Sequence, residues 1–280
     1  MSLDRIVGAV DPVHPVQPDK RAAILRALTE IQSRHGVRVL FACESGSRGW
    51  GFSSPDSDYD CRFIYMHPRD WYLTVDEFTG PGQPQRDVIE LPIADDLDVS
   101  GWDLRKALRL VGKSNQALME WLRSPIVYLQ DDAARTALQA IAERFFAPPA
   151  AFHHYLSMAR SNNGGYLHGE RVRTKRYLYV IRPVLACGWI MQRGTPPPMA
   201  FEELLDAQLP GGPVREEIDR LLEVKRRSAE VADGPPLPVI AQFLDTQLQL
   251  LEASRFASLR DLPGRGALDD CFRALLAAQD

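Results

Sequence analysis

Apolar residues recur at helical spacing after Asp19, where Ile24, Leu25, Leu28 and Ile31 form one stripe that Gly36 is placed to end. Val37 to Ala42 is a short apolar run that predicts a strand, and Gly46-Ser47 opens a turn or brief helix. A polar loop, Ser53 to Ser57, separates it from a second strand over Asp58 to Met66. Trp71 to Val75 fits either a strand or a helical turn, and Gly80 to Pro84 reads as a loop. Arg86 to Ile93 predicts a further strand and Leu97 to Val99 a very short one. Ser100 and Asp103 have the spacing of a capping box that opens a helix carrying Leu104, Ala107, Leu108 and Val111. Gln116 to Leu122 predicts another helix before Ser124-Pro125.

Beyond Pro125 the pattern turns helical. Ala134, Leu138, Ile141 and Phe145 mark a helix that Pro148-Pro149 ends, and Phe152–Leu167 and Thr174–Gln192 predict a helix pair with Pro183 inside the second. Further helices are expected near Phe201–Ala207, Val214–Val231, Pro238–Ser254 and Gly266–Ala278. The fold class is therefore α+β: a mixed α/β half with few strands over residues 1–125, followed by an α-helical domain over 126–280.

With 280 residues, 45% hydrophobic and 25% charged, the chain has ample material for a core. Its formal charge of −4 argues against a wholesale nucleic-acid coat but leaves room for a local basic cleft. Cys43, Cys61, Cys187 and Cys271 show no paired spacing, and no apolar run is long enough to span a bilayer. The first residues, with Pro12, Pro15 and Pro18, lack the layout of a signal peptide, so a cytoplasmic protein with no membrane partner is expected.

Chemistry concentrates between Glu44 and Arg62. In an extended strand Asp58 and Asp60 point to the same face, together with Arg62. Two acids side by side repel unless a cation lies between them, and Mg²⁺ is commonly held by one or two carboxylates plus substrate phosphates. Amides of the Gly46–Gly49 turn and the Ser47 hydroxyl can take phosphate oxygens, with Arg48 as a further candidate. Gly46, Gly49 and Gly51 miss the dinucleotide spacing, no GK[ST] occurs, and neither Ser45 nor Ser47 lies in a serine elbow. Each half has a bland reading, a plain turn and a solvated acidic strand entry; their conjunction predicts a magnesium–nucleotide site.

The stretch from Gly46-Ser47-Arg48-Gly49 through Ser57-Asp58-Tyr59-Asp60 resembles the signature of the DNA polymerase beta nucleotidyltransferase superfamily. With SDYDCRFIY, GWDLRKALRL, KSN, MEWLRSPIVY and KRYLYVIRP, the chain from about Val39 to Pro198 is similar to the RNA repair pathway DNA polymerase beta family. The resemblance implies that the first half is a small mixed sheet flanked by helices. It also implies metal-dependent transfer of an NMP from an NTP, ATP first among them, with Mg²⁺ or Mn²⁺ on three carboxylates and an RNA 3′ end as one acceptor. A protein or small-molecule acceptor, and a catalytically silent nucleotide-binding module, are the alternatives. Asp98 is the expected third acid, with Glu90 in reserve and Asp103 reading as a capping acid.

Arg171, Lys175, Tyr179 and Arg182 fall on one helix face. They predict either a solvated cationic stripe or a nucleotide-facing wall in which Lys175 grips phosphate and Tyr179 stacks, with Arg160, Asn162 and Asn163 nearby. Trp121 and Trp189 fit apolar stripes, and the histidines show no metal-ligand spacing.

Overall fold

The computed structural model describes residues 15–75, 78–80, 83–84, 87–164, 172–227, 233–255 and 261–278. The first half runs α1 (Pro18–His35), β1 (Arg38–Glu44), α2 (Gly46–Trp50), β2 (Tyr59–Met66), α3 (Arg69–Tyr72), β3 (Phe78–Gly80), β4 (Gln83–Pro84), β5 (Val88–Glu90), β6 (Leu97–Asp103), α4 (Leu104–Val111), α5 (Gln116–Trp121) and β7 (Val127–Gln130). There follow α6 (Asp132–Arg144), α7 (Pro148–Asn163), β8 (Val172–Arg173), α8 (Thr174–Arg193), α9 (Phe201–Gln208), α10 (Pro213–Arg227), β9 (Asp233–Gly234), α11 (Pro238–Ala253) and α12 (Gly266–Ala277). The expected α+β architecture stands. Arg171 and residues 1–14 lie outside the described residues.

Five strands form the main sheet in the order β5-β6-β2-β1-β7. β2 and β6 run parallel, and the other neighbours pair antiparallel. Alternation along β2 divides its side chains between two cores. Tyr59, Cys61, Phe63 and Tyr65 pack with Ile24, Leu28 and Ile31 of α1. Ile64 and Met66 face the other way, under Leu108 of α4, Leu138 of α6 and Leu268 of α12. Asp60 and Arg62 share that second face but stand nearer the start of β2, where they are only half-buried. A third cluster joins α7 to α11 and takes in Phe52, from the loop after α2.

Several expectations change. Ser100 lies within β6, and the N-cap of α4 is Asp103 itself, whose carboxylate accepts from the Arg105 amide at 2.8 Å. β6 thus runs on through Ser-Gly, residues with little strand preference, because Gly101 pairs with Phe63 and the Phe63 ring occupies the missing side-chain space. The 86–93 strand shrinks to Val88–Glu90. Strands β3 and β4 pair across what reads as a GPGQP loop. Pro148 begins α7 instead of merely ending α6.

β7 pairs with β1 beyond the boundary expected at residue 125, so the sheet draws on both sides of it. Four residues after Ser-Pro are too few to show a period.

The Gly101–Phe63 contact yields a test. A Cβ at residue 101 would lie 2.2 Å from the fully buried Phe63 ring. Gly101→Ala is expected to cost about 1–3 kcal/mol of stability by overpacking. Urea unfolding checks this, and an unchanged midpoint would show that the ring moves aside freely.

Candidate functional site

At the end of β1 the chain turns through Ser45 into α2, and β2 closes the turn from the other side. The Ser45 amide donates to the Asp60 carbonyl at 2.9 Å. Gly46 has a φ of +60°, and a Cβ there would meet Asp60 Oδ2 at 2.2 Å. The left-handed backbone and the touching carboxylate both require glycine. Ser47 is nearly buried, and its hydroxyl makes no hydrogen bond to any described residue.

The parallel register of β2 and β6 sets Asp60 directly opposite Asp98. Between them lies the Arg62 guanidinium, 3.1 Å from Asp60 Oδ1 and 2.7 Å from Asp98 Oδ2, with a further bond of 2.9 Å to the Asp98 carbonyl. Burial works to lower the pKa of Arg62, but the hydrogen bond to Asp98 and the charges of Asp60 and Asp98 raise it overall. Asp58 stands exposed just before β2.

The reserve candidates for the third acid go elsewhere. Glu90 sits on β5 opposite Ser100, whose hydroxyl reaches it at 3.3 Å, and buried Asp103 caps α4 and accepts from Tyr72 at 2.5 Å.

These oxygens suit a hard divalent cation. The side chains of Asp60 and Asp98 are 28% and 30% exposed, so solvent and a phosphate-bound ion can reach them. Among the described residues no three carboxylate, imidazole or thiol groups already converge on one point. Arg62 holds the position between Asp60 and Asp98, and substrate phosphates can complete such a set.

Arg48 is placed differently from the expectation of a phosphate clamp. It is buried, donates to the carbonyls of Ser57 at 2.7 Å and Asp58 at 3.3 Å, and stacks 3.9 Å from the centre of the Tyr59 ring. It fixes the loop that presents Asp58. Lys225, buried on α10, reaches the same loop at Ser54 Oγ, 3.5 Å away. Nothing in the local sequence marks Lys225, since its partner lies far off in the chain.

The wall from α8 meets α2 through aromatic rings. Tyr179 lies edge-on to Trp50, with ring centres 5.6 Å apart. Lys175, Arg176 and Tyr179 line a cavity of about 280 Å³ with Ser161 and Asn162 of α7. Arg182, expected on the same cationic face, is buried: it pairs with Glu120 at 2.9 Å and stacks 4.5 Å from Trp50. Glu120 also accepts from Tyr155 at 2.7 Å and from Trp50 Nε1 at 3.1 Å. A helix-face pattern cannot tell an arginine facing water from one facing a buried acid. Arg160 pairs with Glu252, away from this wall.

A profile of the RNA repair pathway DNA polymerase beta family matches residues 21–274. The uncharacterized protein YcgL of Bacillus subtilis (strain 168) is 44% identical over 233 residues, spanning 83% of this chain and 87% of that protein.

Glu44, at the end of β1, is fully buried behind the acids and was not apparent from sequence. Its carboxyl accepts from the Asp60 amide at 2.8 Å and from the Tyr128 hydroxyl. Burial raises its pKa from 4.5 to about 8, against the lowering effect of those two hydrogen bonds; the Asp60 charge adds to the rise. The unfolded chain releases this proton at lower pH than the folded one. Stability from this group is therefore full below about pH 4.5 and is lost as pH rises to about 8. Glu44→Gln keeps the shape and the acceptor while removing the titration. The thermal midpoint of Glu44→Gln relative to wild type should climb across that window, whereas parallel profiles would contradict the assignment.

Proposed function

The chain belongs to the RNA repair pathway DNA polymerase beta family, and on that premise we propose that it is a metal-dependent nucleotidyltransferase moving an NMP from an NTP to a hydroxyl. ATP is the favoured donor and an RNA 3′ end the favoured acceptor. The observation that supports this most directly is the in-register pair Asp60 and Asp98, beside the Gly46-Ser47 turn. Four free cysteines, three of them buried, support a reducing cytoplasmic setting. No helix among the described residues is long and apolar enough to cross a membrane.

In this reading the Ser47 hydroxyl and the first amides of α2 receive the β- and γ-phosphates. Lys175 and Tyr179 form the opposite wall for phosphate and base. Mg²⁺ or Mn²⁺ on Asp58, Asp60 and Asp98 supplies acidification of the acceptor hydroxyl and neutralisation of the leaving pyrophosphate. Arg62 bonds both Asp60 and Asp98 and holds them together before substrate arrives, and Arg48 holds the Asp58 loop in place. Both acids are aligned beforehand, so binding does not have to order them.

Transfer from α-³²P-labelled NTPs to RNA, tRNA, protein and small hydroxyl acceptors tests the reading. Asp60→Asn and Asp98→Asn should each lower turnover by about 10²–10³-fold, the scale of losing a preorganised electrostatic group. Glu90→Gln should stay near wild type. Loss with Glu90→Gln but not with Asp98→Asn would reassign the third acid. Absence of calorimetric NTP binding in the presence of Mg²⁺ would remove the enzymatic reading.

A further inference from the structure

Arg105 and Arg109 lie one turn apart on one face of α4, and Lys113 follows in the turn just after that helix ends. Across from them stand Arg265 and Asp269 at the start of α12. Between the two helices is a cavity of about 620 Å³, floored by Leu108, Leu268 and Phe272. It shares no lining residue with the acidic site or with the Lys175–Tyr179 cavity.

Four cations and one carboxylate leave this cavity with a charge of +3 in a chain whose formal charge is −4. Arg105 is held over the Tyr72 ring at 4.8 Å. Arg109, Lys113 and Arg265 make no ion pair with any described residue, and Asp269, though it lines the same space, bonds to none of them. A plain structural role explains only part of this. Arg109 and Lys113 lie near the C-terminal end of α4, where cations favour the helix dipole. Arg265 is at the N-cap of α12, the end where a cation is disfavoured, yet α12 packs so as to bring it onto the same space.

We propose that this cavity is a binding site for a small polyphosphate ligand, a nucleoside di- or triphosphate, separate from the donor site. The volume is that of ordinary small-ligand pockets, about 300–1,000 Å³. The excess charge matches two or three phosphate oxyanions, and Phe272 with Leu268 gives a base or sugar an apolar surface. A nucleic-acid track would instead string its cations along an open face. The cations here line one half-open cleft between two helices. The proposal does not depend on the chain being a nucleotidyltransferase.

Calorimetry on the full chain in EDTA, titrating ADP and pyrophosphate separately, tests it. Arg109→Ala/Arg265→Ala should weaken binding of both by about a hundredfold, about tenfold for each guanidinium removed. Arg109→Lys/Arg265→Lys should retain most of the affinity, and Asp58→Asn/Asp60→Asn all of it. Circular dichroism and thermal midpoints confirm folding; if the alanine pair does not fold, Lys113→Gln, expected to weaken binding about tenfold, carries the test. Affinities unchanged by the cleft variants, or abolished instead in Asp58→Asn/Asp60→Asn, overturn the proposal. It is equally overturned if ADP and pyrophosphate fail to bind while a labelled single-stranded RNA binds in a manner sensitive to Arg109 and Arg265. Absence of nucleotidyl transfer by the wild-type chain, with cleft binding intact, would count against the enzymatic reading alone.

Discussion

Two carboxylates on neighbouring strands cannot stand opposite one another without positive charge between them. At about 4 Å such a pair repels by about 4 kcal/mol at the effective dielectric of a protein surface. The parallel register of β2 and β6 imposes that arrangement on Asp60 and Asp98, and Arg62, two residues along the same strand face, resolves it. Much else serves to hold this register. Phe63 fills the space over Gly101, the Glu44 carboxyl anchors the Asp60 amide from behind, and Gly46 leaves room for the Asp60 side chain. The acids are thus a property of the sheet and not of a mobile loop, which suits a site needing fixed charge.

A second constraint joins the sheet to the helices. Arg182 and Glu120 are largely removed from water together, and the Glu120 carboxylate accepts two further bonds, from Tyr155 and Trp50. Breaking one member of such a set leaves an uncompensated charge, which is far costlier than replacing the whole set. Because Trp50 ends α2, this buried group also fixes where the Gly46-Ser47 turn lies relative to α8. Tyr179 touches Trp50 by its ring edge and inherits the same frame.

How much of this was legible in sequence follows from the range of each interaction. Period and turn chemistry were enough for α1, β1, β2 and most helices, and strand alternation put Asp60 and Arg62 on one face. That Asp98 would lie beside Asp60 was reachable because a short strand was expected just before α4. The full extent of β6 was not, since it depends on an aromatic ring from another strand covering a glycine. Arg48 read as a candidate phosphate ligand and Arg182 as part of a cationic helix face, because arginine has the same sequence appearance whether it faces a phosphate, a carbonyl or a buried glutamate. Glu44, Glu120 and Lys225 gave no signal at all: each owes its place to partners many residues away.

The position of α12 carries a consequence for how the chain is made. Leu268, Leu275 and Leu276 complete the same apolar cluster as Leu40 and Ile64, and α12 joins it by packing against α4 and α6. During synthesis the strands, α4 and α6 emerge early, but the outer flank of those two helices stays uncovered until α12 returns to it. A nascent chain halted before residue 266 therefore presents an open apolar flank on α4 and α6, the kind of surface that chaperones hold and that aggregates when they do not. For this protein, acquiring its acids in the right place is an early event in biogenesis, and making them safe in solution is a late one.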